Sequence, residues 1–426
     1  MKESGIKWIG TIPEDWKTQR MKSACSLISR GCAPVYEDEG DSYAMNQATF
    51  SKGYIDYSNL RFTSKKDRSV LVNNGDLLIA STGGGVLGKV IFTHDLNGTF
   101  YADSHVTIIR GKKLLLDNKF LYYFFLIHFD TTNAILAMGS TNQTELQRDE
   151  FNAFIIPCPS YDEQQVIANY LDSKCSKIDA SIASLSEMKE KYLSLKKSLI
   201  NETVCRGLNK SVSLKSSGID LIGDISEHWE VKRIKDLVSV NSKVLSDSTN
   251  KNYTFKYIDI SSVSSDGNIS ISEEYSFSEA PSRARRIIKR NDIIVSTVRT
   301  YLQAIAQIDW NANDAIVSTG FAVLSPNKKV CSPSYLFYAI KSEVTINEIM
   351  RLSIGVSYPA ITAYYLCNIP LAIPPLSEQQ SIATYLDTQC SKIDSIIENI
   401  VSQIEAYTKL KKSLINEVVT GKKRVI

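Results

Sequence analysis

An α+β architecture is predicted: two α/β-mixed domains joined by two long helices that form an intramolecular antiparallel coiled coil, the whole pseudo-twofold symmetric. Three observations in the 426-residue sequence lead there. The chain contains one module twice, each copy ends in a long helical segment with apolar residues stepping by threes and fours, and the middles mix strand-like runs with short aromatic helices.

The repeat comes first. Ser4-Gly5-Ile6 with Ile9-Gly10, Ile12, Glu14, Trp16, Arg20 and Lys22 recurs at identical spacing as Ser217-Gly218-Ile219 with Ile222-Gly223, Ile225, Glu227, Trp229, Arg233 and Lys235. Later, Glu163-Gln164-Gln165, Tyr170-Leu171-Asp172, the run Cys175 to Asp179 and the heptapeptide Lys196 to Glu202 return as Glu378 to Gln380, Tyr385 to Asp387, Cys390 to Asp394 and Lys411 to Glu417. Between these shared ends the copies diverge strongly. The ends therefore do one job twice and the middles do two different jobs.

The middles, roughly 17–160 and 230–375, carry strand-like runs at Asp76 to Ala80, Val106 to Ile109 and Ile293 to Ser296. Lys119 to Phe129 and Tyr335 to Ile340 read as short helices rich in aromatics. The shared segments that follow are long helices. Asp162 with Gln165, and Ser377 with Gln380, fit the capping-box pattern, and Gly207 and Gly421 lie where a left-handed stop is cheap only for glycine. Each helix then runs about 42 residues, roughly 60 Å.

A coiled-coil seam is predicted at Ile178, Ile182, Leu185, Tyr192, Leu195 and Leu199 in the first helix. Ile393, Ile397, Ile400, Ile404, Tyr407, Leu410 and Leu414 form its counterpart in the second. Two helices too polar to be buried alone would most simply bury their seams against each other, and an antiparallel pairing would place the two globular domains at opposite ends. The sparse apolar content of Arg206 to Ser216 marks a linker. The expected divisions are 1–160, 161–206, 207–216, 217–376 and 377–426.

Composition excludes several classes. With 43% hydrophobic and 22% charged residues the chain is an ordinary globular protein, and its length suits two or three domains. No apolar run of about 18 residues and no apolar leader at the N-terminus is present, so residence in the cytoplasm is expected, with no membrane partner. Eight cysteines without close pairing read as reduced thiols. A net charge of +3 does not by itself point to nucleic acid.

No catalytic set and no metal site is expected. Gly83 to Lys89 matches a phosphate-loop spacing, which would make the chain an NTPase, but Val90 stands where Ser or Thr would ligand magnesium and the chain continues as strand. A glycine-rich hairpin is expected instead. Pro374-Pro375 precedes Leu376 rather than an aromatic, so the base-methylation motif is missing. His94, His105, His128 and His228 lack ligand spacing, and Glu187 with Lys189 falls on the coiled coil rather than on nuclease strands.

Charge placement says more. Lys65, Lys66 and Arg68 stand before the strand at Gly75-Asp76, and Arg283, Arg285, Arg286, Lys289 and Arg290 stand before its counterpart at Asn291-Asp292. Recurrence in two divergent middles points to phosphate contact, with double-stranded DNA as the partner. Lys89, Arg299 and the polar loop Ser140 to Gln143 are further candidates.

At these residues the sequence resembles the specificity subunit of type I restriction-modification systems. The resemblance rests on the Gly-Ile-x-x-Ile-Gly-x-Ile-(Pro/Ser)-x-x-Trp start of each half, the (Gly/Asn)-Asp-hydrophobic strands at Asp76 and Asp292, the Glu-Gln-Gln helix starts and the Leu-Lys-Lys-Ser-Leu-Ile-Asn-Glu helix ends. Only Ser226 and Val90 stand out, and neither touches a catalytic role. The resemblance implies two target recognition domains, each reading one half of a split DNA site, with the helices as spacers. It implies two modification (methyltransferase) subunits docked on the repeated ends, with restriction subunits in the full enzyme, or a fused restriction-methylation polypeptide instead. S-adenosylmethionine, ATP and magnesium would belong to those partners, and this chain would be non-catalytic.

Overall fold

The computed structural model describes the chain except for residues 8, 65–68, 84, 129–136, 139–144, 272 and 426 and the side chains of 137 and 138. Two compact units are present, Met1–Ser186 with Ser402–Ile426, and Glu187–Val401. The division falls inside each long helix, not at the predicted linker. The linker itself is ordered: Leu214–Ser216 forms an antiparallel pair with Asp224–Ser226, as Lys2–Glu3 does with Thr11–Ile12.

In the first unit an antiparallel four-stranded sheet runs in the order Val90–Phe92, Leu77–Ala80, Val106–Gly111, Cys25–Arg30. Leu77–Ala80 is buried on both faces, and its period-2 alternation divides it between two cores. Leu78 and Ala80 pack with Met45, Phe50, Phe100 and Ile108 against a second sheet, whose Ser42–Met45 and Thr99–Ala102 strands pair in parallel. Leu77 and Ile79 pack on the other side against the aromatic helix Asn118–Ile127, through Phe120 and Phe124. This helix ends two residues before the predicted Phe129, which lies outside the described residues.

The second unit repeats these layers. Its four-stranded sheet runs Val238–Val240, Phe321–Pro326, Ile293–Ser296, Ile305–Gln307, and Thr254–Ile258 with Ala315–Ser318 gives the parallel pair in the second sheet. Ile293 and Val295 face the helix Pro333–Lys341, while Ile294 faces the other core.

The two long helices are Tyr161–Arg206 and Leu376–Val419, 46 and 44 residues. Both start before the predicted caps. Ser160 Oγ accepts from the Glu163 amide at 3.3 Å, which leaves Asp162 inside the first turn, and the Glu378 and Gln379 amides bond to the Pro375 carbonyl. Helix entry therefore falls at Ser160 and Pro375, upstream of Asp162 and Ser377, so the capping boxes are not used.

Within each unit the helices run antiparallel. Ile167, Leu171 and Cys175 of the first share a core with Ile415, Val418 and Val419 of the second, and Ile200, Val204 and Cys205 share the other with Ile382, Leu386 and Cys390. Most predicted seam positions are buried or half-buried: Ile178, Ile182, Leu185, Tyr192 and Leu199, and Ile393, Ile397, Ile400, Ile404, Tyr407 and Leu414. Leu195 and Leu410 are not, each being 53% exposed.

The reason is heptad arithmetic. Strict alternation of four and three from Ile178 passes through 182, 185, 189, 192, 196, 199 and 203, and from Ile393 through 397, 400, 404, 407, 411, 414 and 418. Lys196 and Lys411 therefore occupy the seam. Lys196 Nζ donates to both Asp394 oxygens at 2.6 and 2.7 Å, and Lys411 Nζ to both Asp179 oxygens at 2.7 and 2.6 Å. Polar pairs at seam positions fix register at some cost in stability.

Asp394→Ala should destabilise by about 1–2 kcal/mol in chemical denaturation, because it leaves the Lys196 ammonium half-buried without its partner. Lys196→Met should be near neutral or stabilising. Equal losses from both would show that the pair itself, not its desolvation, dominates.

Candidate nucleic-acid interface

Each globular domain is fastened to its helix in the same way. Gln164, fully buried, donates through Nε2 to the carbonyls of Leu115 at 2.8 Å and Pro159 at 2.9 Å, and its Oε1 accepts from the Asp117 amide at 2.8 Å. Gln379 does the same with Val330 at 3.0 Å, Pro374 at 2.9 Å and the Ser332 amide at 2.8 Å. Asp117 and Ser332 are the N-caps of the two aromatic helices. The middle residue of Glu-Gln-Gln thus ties helix start to domain.

About two turns further along each long helix, Tyr123 donates to Asp172 at 2.7 Å and Tyr338 to Asp387 at 2.8 Å. Burial, then the neighbouring carboxylate, holds both phenols well above the usual tyrosine range, so they stay donors.

The opening motifs receive the far ends of the helices. Gly207 turns left-handed (φ +78°) against Trp229, and Gly421 (φ +71°) against Pro13 and Trp16. In either place a Cβ would lie within 3.0 Å of a neighbour. Trp229 Nε1 donates to Glu378 Oε2 at 3.2 Å, an oxygen that also meets His228 Nε2 at 2.8 Å. Trp16 Nε1 is buried without a hydrogen-bond partner among the described residues, and Glu163 instead pairs with Arg424 at 3.2 Å.

The paired aspartates shape the turns that lead into the central strands. Asp76 Oδ2 accepts from the Asn73 amide at 2.8 Å and Asp292 Oδ2 from the Lys289 amide at 2.9 Å, closing the same turn in both copies. Asp76 is also gripped by Arg110 at 2.6 and 2.8 Å, and Asp292 takes a bond from Ser325 at 2.6 Å. Burial raises the Asp292 carboxyl above its usual range.

The basic candidates separate. Lys65, Lys66, Arg68 and Ser140 to Gln143 lie outside the described residues. Arg283, Lys289, Arg290 and Arg299 are exposed. The strand Ala284–Ile287 splits them: Arg283, whose carbonyl accepts from Thr319, shares one end of the domain with Thr297 to Arg299, while Lys289 and Arg290 form the turn at the opposite end of Ile293–Ser296. Arg285 stacks over Phe277 at 4.8 Å.

Two candidates also make contacts within the fold. Arg286 is half-buried and donates to the Phe321 carbonyl, and burial lowers its pKa. Lys89 Nζ donates to the Ser51 carbonyl at 2.8 Å. The described residues between the antiparallel strands Leu77–Ala80 and Val90–Phe92 form the tip of a hairpin, as the glycine-rich composition implies. Among the described residues no group of three or more His, Cys, Asp or Glu could hold a metal ion, and no described helix is long and apolar enough to cross a membrane.

Sequence reasoning missed Gln164 and Gln379 as fasteners, although their recurrence marked them. It also missed the exposed Tyr301, Val356 and Tyr358 beside Arg299, which no periodicity flags.

Comparison with known proteins points one way. The family model described as type I restriction modification DNA specificity domain matches residues 13–187 and 226–406. The type I restriction enzyme MjaVIII specificity subunit of Methanocaldococcus jannaschii is 25% identical over 97% of this chain and 94% of its own length. The EcoBI specificity subunit of Escherichia coli is 19% identical over 88% and 84%. Among solved structures, a chain of a type I R-M system studied for complex assembly and conformational transition superposes with a TM-score of 0.72 at 15% identity, covering 97% of this chain and 100% of that one. The HsdS subunit from Thermoanaerobacter tengcongensis gives 0.52 at 15% identity, covering 97% and 98%.

Proposed function

Because the chain belongs to the type I restriction-modification DNA specificity family, we propose that its two recognition domains each read one part of a two-part DNA sequence, and that its repeated ends dock two modification subunits there. The observation that carries this reading is the contrast between like fastenings and unlike readers. The Gln, Tyr–Asp, Trp–Gly and Lys–Asp contacts recur in both units, while the residues around the hairpin tips do not. A surface offered twice to the same partner must be alike, and a surface reading two different sequences must differ.

Exposed Arg283, Lys289 and Arg290 supply phosphate contact in the second domain, which gives affinity and salt dependence but no sequence information. Restriction subunits join the full enzyme. S-adenosylmethionine, ATP and magnesium sit on the partners, and the chemistry is theirs. The complex works in the cytoplasm, where it meets chromosomal DNA.

Two measurements test this. Methylome sequencing of the host with and without the gene should show a two-part motif methylated only when the gene is present. In the purified complex with modification subunits, Arg290→Ala should weaken binding evenly across sequences and lower the salt slope by about one, whereas Arg286→Ala should lower stability instead. A motif that persists without the gene would contradict the reading.

A further inference from the structure

The hairpin tip of the second recognition domain differs from its counterpart in a way that the fold does not require. In the first unit the tip between Leu77–Ala80 and Val90–Phe92 turns on glycines, with left-handed Gly83 (φ 98°), Gly85 (φ 83°) and Gly88 (φ 80°). In the second, the tip between Ile293–Ser296 and Ile305–Gln307 makes a 3-10 turn, Thr300–Leu302, flanked by Arg299 and Gln303, both at φ 51°. Non-glycine side chains disfavour that conformation, and where they are held in it the surrounding structure enforces it. Glycine at position 299 would serve the turn better, so the arginine side chain is there for something else.

A second loop is laced to this tip. Ile354 and Ala360 exchange backbone hydrogen bonds at 2.9 and 3.0 Å, the Ile361 amide donates to the Thr297 carbonyl at 2.8 Å, and Thr300 and Ser353 share a hydroxyl hydrogen bond at 2.9 Å. The loop so closed holds up Val356, fully exposed, and Tyr358, 65% exposed. Arg299 lies over the Tyr358 ring at 4.9 Å. The result is a firm knuckle of one stacked guanidinium and two uncovered apolar side chains, with Arg283 at the same end of the domain.

Resting on the proposed DNA-reading function, we infer that this knuckle reads bases in the second part of the target, Arg299 meeting a guanine edge and Val356 and Tyr358 packing on neighbouring bases. A guanidinium held over an aromatic ring is suited to the bidentate hydrogen bonding that distinguishes guanine in the major groove, and apolar tips suit thymine methyls. The contrast between copies selects DNA over the other candidate occupant. A docking face for a modification subunit would be alike in both halves, whereas here glycines in one copy stand where arginine and glutamine stand in the other.

The test uses the full chain in complex with its modification subunits and a pool of random-sequence duplexes, sequencing the bound fraction. Arg299→Gly, and separately the double change Val356→Ala with Tyr358→Ala, should blur one or two positions in one part of the selected motif and leave the other part sharp. Discrimination at the blurred position should fall roughly 5- to 150-fold. Since glycine suits φ 51°, the Tm of Arg299→Gly should equal or exceed that of the parent, which separates lost reading from lost folding. An unchanged motif in both variants would overturn the inference. So would an even loss across all sequences with a shallower salt slope, which marks a phosphate contact, or loss of the modification subunits with the motif intact, which marks a docking face. If the parent complex selects no motif at all, the DNA-reading function fails with it.

Discussion

Trp229→Ala is expected to cost about 3–5 kcal/mol, a large share of the ~5–15 kcal/mol that holds a typical domain. Trp229 is fully buried in the core that also holds Ile200, Val204, Ile382 and Leu386, so its indole joins the opening motif to both long helices within that unit. Three losses combine: the buried ring area, the Nε1 bond to Glu378, and the seat against which Gly207 ends the first long helix. Denaturant unfolding of the full chain would read the loss as a lower midpoint for that unit.

The matching tryptophan provides the internal control. Trp16 is as buried, packs edge-on to Phe120 and seats Gly421, but its Nε1 has no partner among the described residues. Truncation to alanine should cost about as much there. Replacement by phenylalanine should separate the two: Trp16→Phe removes an unpaired buried donor, while Trp229→Phe removes a paired one and so costs about 1 kcal/mol more. Equal costs for the two phenylalanine variants would show that the Glu378 bond adds nothing net.

Much of this architecture was legible in the sequence because it is written twice. Recurrence at fixed spacing located the opening motifs, the helix starts and the helix ends without any knowledge of packing, and the runs at Leu77–Ala80 and Ile293–Ser296 form the central strands expected of them. The seam was largely legible too. It slipped by one residue at Leu195 and Leu410 because a leucine beside a lysine is the natural apolar choice; that a lysine belongs in the seam depends on an aspartate across it, Asp394 or Asp179, far away in sequence.

Local rules failed where tertiary partners override them. The Asp162 and Ser377 caps are unused because each helix begins upstream of them, at Tyr161 behind the Ser160 cap and at Leu376, and the glutamine one residue past Glu163 or Glu378 bonds across to another element. The linker became a strand because its pairing partner, Asp224–Ser226, belongs to the opening motif. Of the basic residues, charge alone could not tell Arg286, spent on a backbone carbonyl, from exposed Arg290. The knuckle at Arg299 and Tyr358 is assembled from segments some sixty residues apart, so only coordinates bring it together.

The central claim is that constant ends carry two independent readers, and exchange of one reader tests it most directly. Residues 17–160 are replaced by the corresponding middle of another family member, the chimaera is expressed with the modification subunits, and the methylome is sequenced. The boundaries keep Trp16, the Tyr161–Arg206 helix and everything from 217 onward. Some fastenings cross the junction, Asp117 with Gln164 and Tyr123 with Asp172, so the donor middle must bring a matching N-cap and tyrosine. One part of the methylated motif should then change completely while the other stays as it was. A motif altered in both parts, or in neither, would contradict the account.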